Sequence, residues 1–365
     1  MKEIRKIIEY YDATDHSIEK LALASVVNVE ASSYRRIGAR MLVCSSGNWV
    51  GGISGGCLEG DALKRSQKAI FSNTSSSVVY DTMDDDNNQI GVGLGCNGRI
   101  EVLFTPIDSK DPNNPIEQLR KISQSKRPSI LLKVVKSTDI LAPLGFSALI
   151  TSNEQLDQFC NIDAKELESA VREVEEIKRP LIKQFRSINE QQMTVLIEFI
   201  RPETKLIIVG DNYDVSALVG IASELGWECH IVGRKKKISK KTFQTAKAVY
   251  AYEEFSKITI DEYTAVVLMT HDYNWDKKIL PQVIHKNLPY IGMLGPKKRM
   301  LKMQDDLKLE ALDDISYFYS PVGLDIGAES PEEIALAIAA EIVAALRNKS
   351  GKSLKYKKGV IHDLK

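Results

Sequence analysis

Long apolar runs, paired cysteines and net charge are what this 365-residue chain has least of, and each shortage excludes something. The opening stretch, MKEIRKIIEYYDATDHSIEKLALASVV, alternates charged with apolar positions. It therefore lacks the continuous apolar core of a secretion signal, and no later run approaches the length of a membrane span. Five cysteines (Cys44, Cys57, Cys96, Cys160, Cys229) are odd in number, widely spaced and without a CxxC pair. That pattern argues against a disulfide framework or a zinc knuckle, and for a reducing compartment, the cytoplasm. The 49 basic residues are balanced by 49 acidic ones, so there is no excess of positive charge for nucleic acid as the main partner. No internal repeat breaks the chain into units.

What is present is the composition of a globular protein, 43% hydrophobic and 27% charged, in a length that suggests two domains. An amphipathic helix to about residue 20 precedes a strand, LALASVVNVEAS. A hairpin, ARMLVCSSGNWVGGIS, turns at Ser46-Gly47-Asn48, where glycine and asparagine suit positive φ. LEGDALKRSQKAIF has helical spacing, SSVVYDT and RIEVLFTPI read as strands, and the polar, then glycine-rich MDDDNNQIGVGLGCNG lies between those two. PSILLKVVKS and FSALIT are further strands, and DAKELESAVREVEEIKRPLIKQF reads as helix, broken at Pro180. From Lys205 onward short apolar strands alternate with helices, which predicts a parallel sheet covered on both faces. The last helix opens with Ser330 as N-cap, Pro331 at the first position and Glu333 closing a capping box. The fold class expected is α/β: a mixed α+β domain over 1–202, a Rossmann-like doubly wound domain over 203–348, and a basic tail over 349–365.

Four segments carry candidate chemistry. SGGCLEG places Cys57 just before a helix, where the dipole favours thiolate, and Gly55 and Gly56 leave its sulfur accessible. GLGCNG gives Cys96 similar access. A pair of soft thiolates can ligate a transition metal or carry transferable sulfur, whereas a cysteine alone in a tight turn can simply fill space. VGDNYDVSAL offers Gly210 at the first position of a dinucleotide turn, but Asn212 and Val215 stand where the other glycines belong, and Asp211 and Asp214 would repel phosphate. The second strand then ends in Gly233, Arg234 and three lysines, a composition suited to an extra phosphate, so NAD(P) stays an alternative ligand. YIGMLGPKKRM ends a strand at Gly295 and puts Lys297, Lys298 and Arg299 in a first helical turn, where positive charge opposes the dipole unless an anion sits there. LMTHDYNWD sets His271 and Asp272 beyond a strand end as a candidate acid/base pair.

Taken in order, GARMLV, GGISGGCLEGD, YDT, GLGCNGRIEVLF, VVLMTHDYNWD, YIGMLGPKKR and GLDIGAESPEEIALAIAAEI resemble the XdhC/CoxI family, accessory proteins of xanthine dehydrogenase and related molybdenum hydroxylases. The set runs through both domains and covers most of the chain. The resemblance implies binding of molybdenum cofactor (molybdopterin), a cysteine desulfurase partner that supplies sulfur, and delivery to the apo-form of a molybdenum hydroxylase, with a homodimer as the working form. It makes Cys57, Cys96, Gly55, Gly56, Glu59 and Arg99 the cofactor region, with Cys57 and Cys96 as metal ligands. His271, Asp272, Gly210, Gly295, Lys297, Lys298 and Arg299 fall on the Rossmann side. The alternative is an NADP-dependent oxidoreductase using His271 as acid/base. Two places depart from the family pattern: Asn97 replaces a glycine, and GDNYDV stands where the Rossmann turn reads close to GAGHV.

Overall fold

The computed structural model describes residues 1–31, 33–81, 98–151, 156, 159, 162–187, 190–286 and 288–358. They divide into two compact units, one of Met1–Pro202 together with Lys357 and Lys358, the other spanning Glu203–Tyr356.

The first unit is built on two antiparallel sheets. Helix α1 (Lys2–Ala13) leads to β1 (Leu21–Ala31), β2 (Arg40–Cys44), β3 (Trp49–Gly51), α2 (Glu59–Ser72), β4 (Ser76–Asp81) and β5 (Gly98–Ile107), whose strands order as β3-β2-β1-β5-β4. The β2–β3 turn forms where expected, with Gly47 at φ 94°. Alternation along β1 sends Ala24 and Val26 to the side covered by Leu58, Ala62 and Ala69 of α2, and Leu21 and Leu23 to the side covered by α1.

Helix α3 (Pro115–Gln124) follows, its first amides accepted by Asn114, then β6 (Ser129–Ser137), β7 (Ser147–Ile150), α4 (Ala164–Ile177), β8 (Leu181–Arg186) and β9 (Gln192–Ile200). This sheet orders as β7-β6-β9-β8 under α4. The break read at Pro180 is present, but the residues beyond it, read as helical, are corrected here to a strand. The helix stops at Lys178, which is left-handed at φ 54°, and Pro180 turns the chain into β8 paired against β9. The two sheets meet through Val27, Leu103, Val135 and Leu196. A buried ion pair, Arg40 to both oxygens of Glu198, and the buried Lys133, 3.2 Å from the Ser25 hydroxyl, lie among the same strands.

The second unit is a Rossmann fold. Strands β10 (Lys205–Val209), β11 (Glu228–Val232), β12 (Ala248–Tyr250), β13 (Thr264–Leu268), β14 (Tyr290–Met293) and β15 (Phe318–Tyr319) form one parallel sheet in the order β12-β11-β10-β13-β14-β15. The strand order reverses between β10 and β13, so the ligand crevice of such a sheet lies at their carboxyl ends. Helices α5 (Asp214–Leu225) and α9 (Pro331–Leu346) cover one face, and α7 (Tyr273–Ile279) and α8 (Lys297–Leu307) the other; α6 (Lys240–Thr245) packs beside α5. The Ser330–Glu333 capping box starts α9.

Candidate functional site

Between β3 and α2 the chain needs a cap, because Leu58 at the N-cap position has no side-chain acceptor to offer. Ser54 supplies it from four residues back. Its hydroxyl oxygen accepts from the amides of Gly56 (3.2 Å) and Leu58 (3.1 Å), lies 3.5 Å from the Cys57 sulfur, and donates to Glu59. Glu59 in turn accepts from the amides of Ser54 (2.8 Å) and Ile53 (3.2 Å). Burial would push the Glu59 carboxyl up, but the hydrogen bonds from Ser54 and Ile53 outweigh it and hold the group below the usual carboxylate range. The loop is thus clamped from inside while the Cys57 side chain stays exposed. Gly56, at φ 111°, has open space where a Cβ would stand, and a Cβ on Gly55 would meet the exposed Tyr34 ring at 3.4 Å.

The first turn of α2 is tied to the strand ends beside it. The Tyr80 hydroxyl donates to Asp61 (2.7 Å), and the next residue, Asp81, pairs in register with Arg99. Arg99 lies 3.4 Å from Glu30 and 3.7 Å from Asp81. The structure therefore gathers Gly55, Gly56, Cys57 and Glu59 into one loop, with Arg99 on the strand next to the one that α2 grips. Cys96 and Cys160 lie outside the described residues. Among the described residues no group of three His, Cys, Asp or Glu side chains could hold a metal ion. Cys44 and Cys229 are buried, and burial pushes the Cys229 thiol up to about 12, as expected of a cysteine that packs. A cleft of about 950 Å³ elsewhere in this unit, lined by Asn113, Gln118, Phe146 and Phe159 among others, contains none of the designated residues.

In the Rossmann unit the crevice between β10 and β13 is stitched across. Gly210 is there because a Cβ would stand 2.5 Å from the Met269 carbonyl oxygen, a close approach of backbone to backbone. The Asn212 amide donates to the Thr270 carbonyl at 3.2 Å, and His271 Nε2 lies 2.6 Å from Asp214 Oδ2. His271 takes the left-handed φ of 56°, a strained choice for a bulky residue. The other Asp214 oxygen accepts from the Val215 amide at 3.1 Å, at the helix N-terminus that a pyrophosphate would need. Asp211 is buried and takes Arg234 through its backbone amide (2.9 Å), Nε (2.7 Å) and Nη2 (2.9 Å). Arg234, read from the sequence as a group for an extra phosphate, is thus matched by a carboxylate of the chain itself. Asp272 caps α7, accepting from the Asn274 amide.

Gly295, at φ 123°, opens α8. Of its basic first turn, Arg299 donates to the fully buried Asp276 (2.6 Å) and Lys297 pairs with Asp313 (2.8 Å), while Lys298 is exposed. Thr270 donates to the other Asp276 oxygen at 2.7 Å. Burial pushes the Asp276 carboxyl up, against the pull of Arg299. Two of the three positive charges at this helix start, Lys297 and Arg299, are therefore met from within the fold. Sequence reasoning missed Ser54 and the pairs Asp211–Arg234, Asp214–His271 and Asp276–Arg299. A serine five residues before a glutamate fits no capping-box spacing, and the ion pairs join residues 23 to 57 positions apart.

These features define a two-unit protein: a clamped glycine loop presenting a thiol, followed by a Rossmann domain whose switch point is closed by its own side chains. The chain belongs to the XdhC and CoxI family. The model of that family matches residues 16–81, and that of the XdhC Rossmann domain matches residues 206–342. It is 31% identical over 336 residues to a probable xanthine dehydrogenase subunit from Bacillus subtilis, covering 91% of this chain and 95% of that protein. A molybdenum cofactor insertion chaperone of Escherichia coli, PaoD, is 21% identical over 88% of this chain and 82% of its own length. A crystal structure described as a xanthine dehydrogenase from Bacillus halodurans superposes with a TM-score of 0.73 at 30% identity, covering 96% of this chain and 97% of that one.

Proposed function

We propose that this protein is an accessory protein of a xanthine dehydrogenase-type molybdenum hydroxylase. It takes molybdenum cofactor as cargo, holds it while a cysteine desulfurase supplies the terminal sulfur, and passes it to the apo-hydroxylase. The observation that carries the reading is the exposed Cys57 in a loop held by Ser54 and Glu59, which accept from the amides of Ile53, Ser54, Gly56 and Leu58. Such a loop can offer a soft sulfur to a metal without rearranging, and Gly56 leaves the approach open. The names of the Bacillus subtilis and Escherichia coli relatives support the same role. In this reading Cys57 and Cys96 meet the metal or its sulfur, Gly55 and Gly56 give room, Glu59 keeps the loop in shape, and Arg99, tied to Glu30 and Asp81, borders the cofactor region. The protein works as a homodimer in the cytoplasm; among the described residues no helix is long and apolar enough to cross a membrane.

The oxidoreductase alternative is not favoured by the geometry. Asp214 holds the helix amide that a dinucleotide phosphate would use, and Asn212 and His271 bridge the crevice. The test is transfer. Chain preloaded with cofactor under anaerobic conditions is mixed with apo-hydroxylase, and the gain of hydroxylase activity is compared with that from free cofactor. Faster or fuller activation by the loaded chain is expected, with no saturable NADPH binding. Equal activation by free cofactor, or saturable NADPH binding that survives Cys57→Ser, would overturn the reading.

A further inference from the structure

The stretch following β11 reads RKKKISKK, so six of the eight positions 234–241 are basic in a chain with no net charge. It forms a 3-10 turn, Lys235–Lys237, and then the first turn of α6, where the Ser239 hydroxyl accepts from the Thr242 amide at 3.2 Å. All six basic residues are exposed. Among the described residues Asp211 is the one carboxylate within ion-pair distance of any of them: Arg234 binds it directly and Lys237 lies 3.9 Å away. Lys235, Lys236, Lys240 and Lys241 have no carboxylate of the described residues within ion-pair distance.

The fold does not need these four charges. Within the stretch Ile238 does the packing, against the core beneath α5, and Ser239 does the capping. Like charges at this spacing repel one another within a Debye length of about 8 Å at physiological salt. Lys240 and Lys241 add a first-turn placement that opposes the helix dipole. Beside them the ring of Phe243 is half-exposed, and exposed aromatic rings are enriched at interfaces.

We infer that segment 234–243 is a docking surface for an acidic stretch on a protein partner; on the function proposed above, that partner is the apo-hydroxylase receiving the cargo. A protein fits better than a nucleic acid or an anionic membrane. The chain as a whole carries no excess positive charge to draw a polyanion.

The test uses the full chain with Lys235→Glu, Lys236→Glu, Lys240→Glu and Lys241→Glu combined. These side chains are exposed and unpaired, so the melting temperature should match the parent's. Association with apo-hydroxylase is followed by biolayer interferometry at low and at raised salt, and pterin retention is measured on the same samples. The variant should bind the hydroxylase at least about tenfold more weakly, chiefly through a slower on-rate, and raised salt should weaken the parent but not the variant. Pterin retention should be unchanged. The inference is overturned if the variant binds as the parent does. It is also overturned if a DNA duplex or phosphatidylserine vesicles bind the parent more tightly than the hydroxylase and lose binding in the variant. A parent that retains pterin but ignores the hydroxylase overturns the docking surface and leaves the cargo reading intact. A parent that binds the hydroxylase through these lysines but retains no pterin does the reverse.

Discussion

Both units lead a strand into a helix through glycine, at Ser54–Glu59 and at Gly210–Asp214, and the two turns use their carboxylates differently. Glu59 grips the amides of its own loop and leaves Cys57 exposed above it. Asp214 holds the helix amide that a phosphate would need and closes on His271 across the crevice, while Asp211 absorbs Arg234. A glycine turn before a helix is therefore not in itself a ligand site. What decides is whether the nearest carboxylate lies within the loop's own hydrogen-bond frame or in the ligand's place.

The sharpest way to break the comparison is to remove a carboxylate that the fold depends on. Asp276→Ala strands Arg299, whose Nε is already buried without a partner, and should lower stability by about 3 kcal/mol in urea unfolding, the range for a broken buried pair. A loss no larger than that of a surface substitution would mean that Arg299 can rotate to water and that the helix start is free for an anion. Next come the glycines. Gly210→Ala drives a Cβ to 2.5 Å from the Met269 carbonyl and should cost about 1–3 kcal/mol. Gly55→Ala only touches Tyr34 at 3.4 Å and should stay within about 0.5 kcal/mol. Thermal melts of the two variants side by side test whether the first glycine is structural and the second is spare.

The first unit also hides a charge, and its pH dependence separates it from the loop above. Burial, with the nearby Arg40 adding to it, holds the Lys133 ammonium down at about 8 against an ordinary 10.5. Below about 8 both folded and unfolded chains carry this proton and the cost of burying it is complete. Between about 8 and 10.5 the folded form sheds the proton first, so this group's contribution to stability rises with pH. Lys133→Met should therefore be more stable than the parent at neutral pH, by about 1–3 kcal/mol, and the gap should close in alkali. Glu59→Gln should have the smallest effect, and its gap from the parent should close in acid rather than in alkali. A carboxyl held low in the folded state stabilises above its unfolded value of about 4.3, and that stability is lost as pH falls through the folded value. The variant should lack that part of the acid limb, and Cys57 should react faster with iodoacetamide as the loop loosens.

Periodicity carried the Rossmann unit well. The strands β10, β11, β13 and β14 are short apolar runs buried on both faces, and Ser330, Pro331 and Glu333 announce α9 by capping chemistry alone. The first unit was harder to read. β8 is a six-residue strand directly after a helix rich in glutamate, and its identity comes from pairing with β9 rather than from its own pattern. α3 went unread because Asn114 and Pro115, its start signals, sit in a stretch that otherwise reads as loop. Of the site, the exposed thiol and its glycines were legible, because access and helix entry are local properties. Ser54's role was not, since it depends on the loop folding back, and neither was the neutralisation of Arg234 and Arg299, which depends on strands brought together by the sheet.

The most direct test of the central claim is cofactor retention. The purified chain and its Cys57→Ser variant are incubated anaerobically with molybdenum cofactor, freed of unbound material, and assayed for pterin as its fluorescent oxidation product. The account predicts near-stoichiometric retention by the parent and a clear loss in the variant, with both melting alike. No retention by the parent, or equal retention by both, would contradict it.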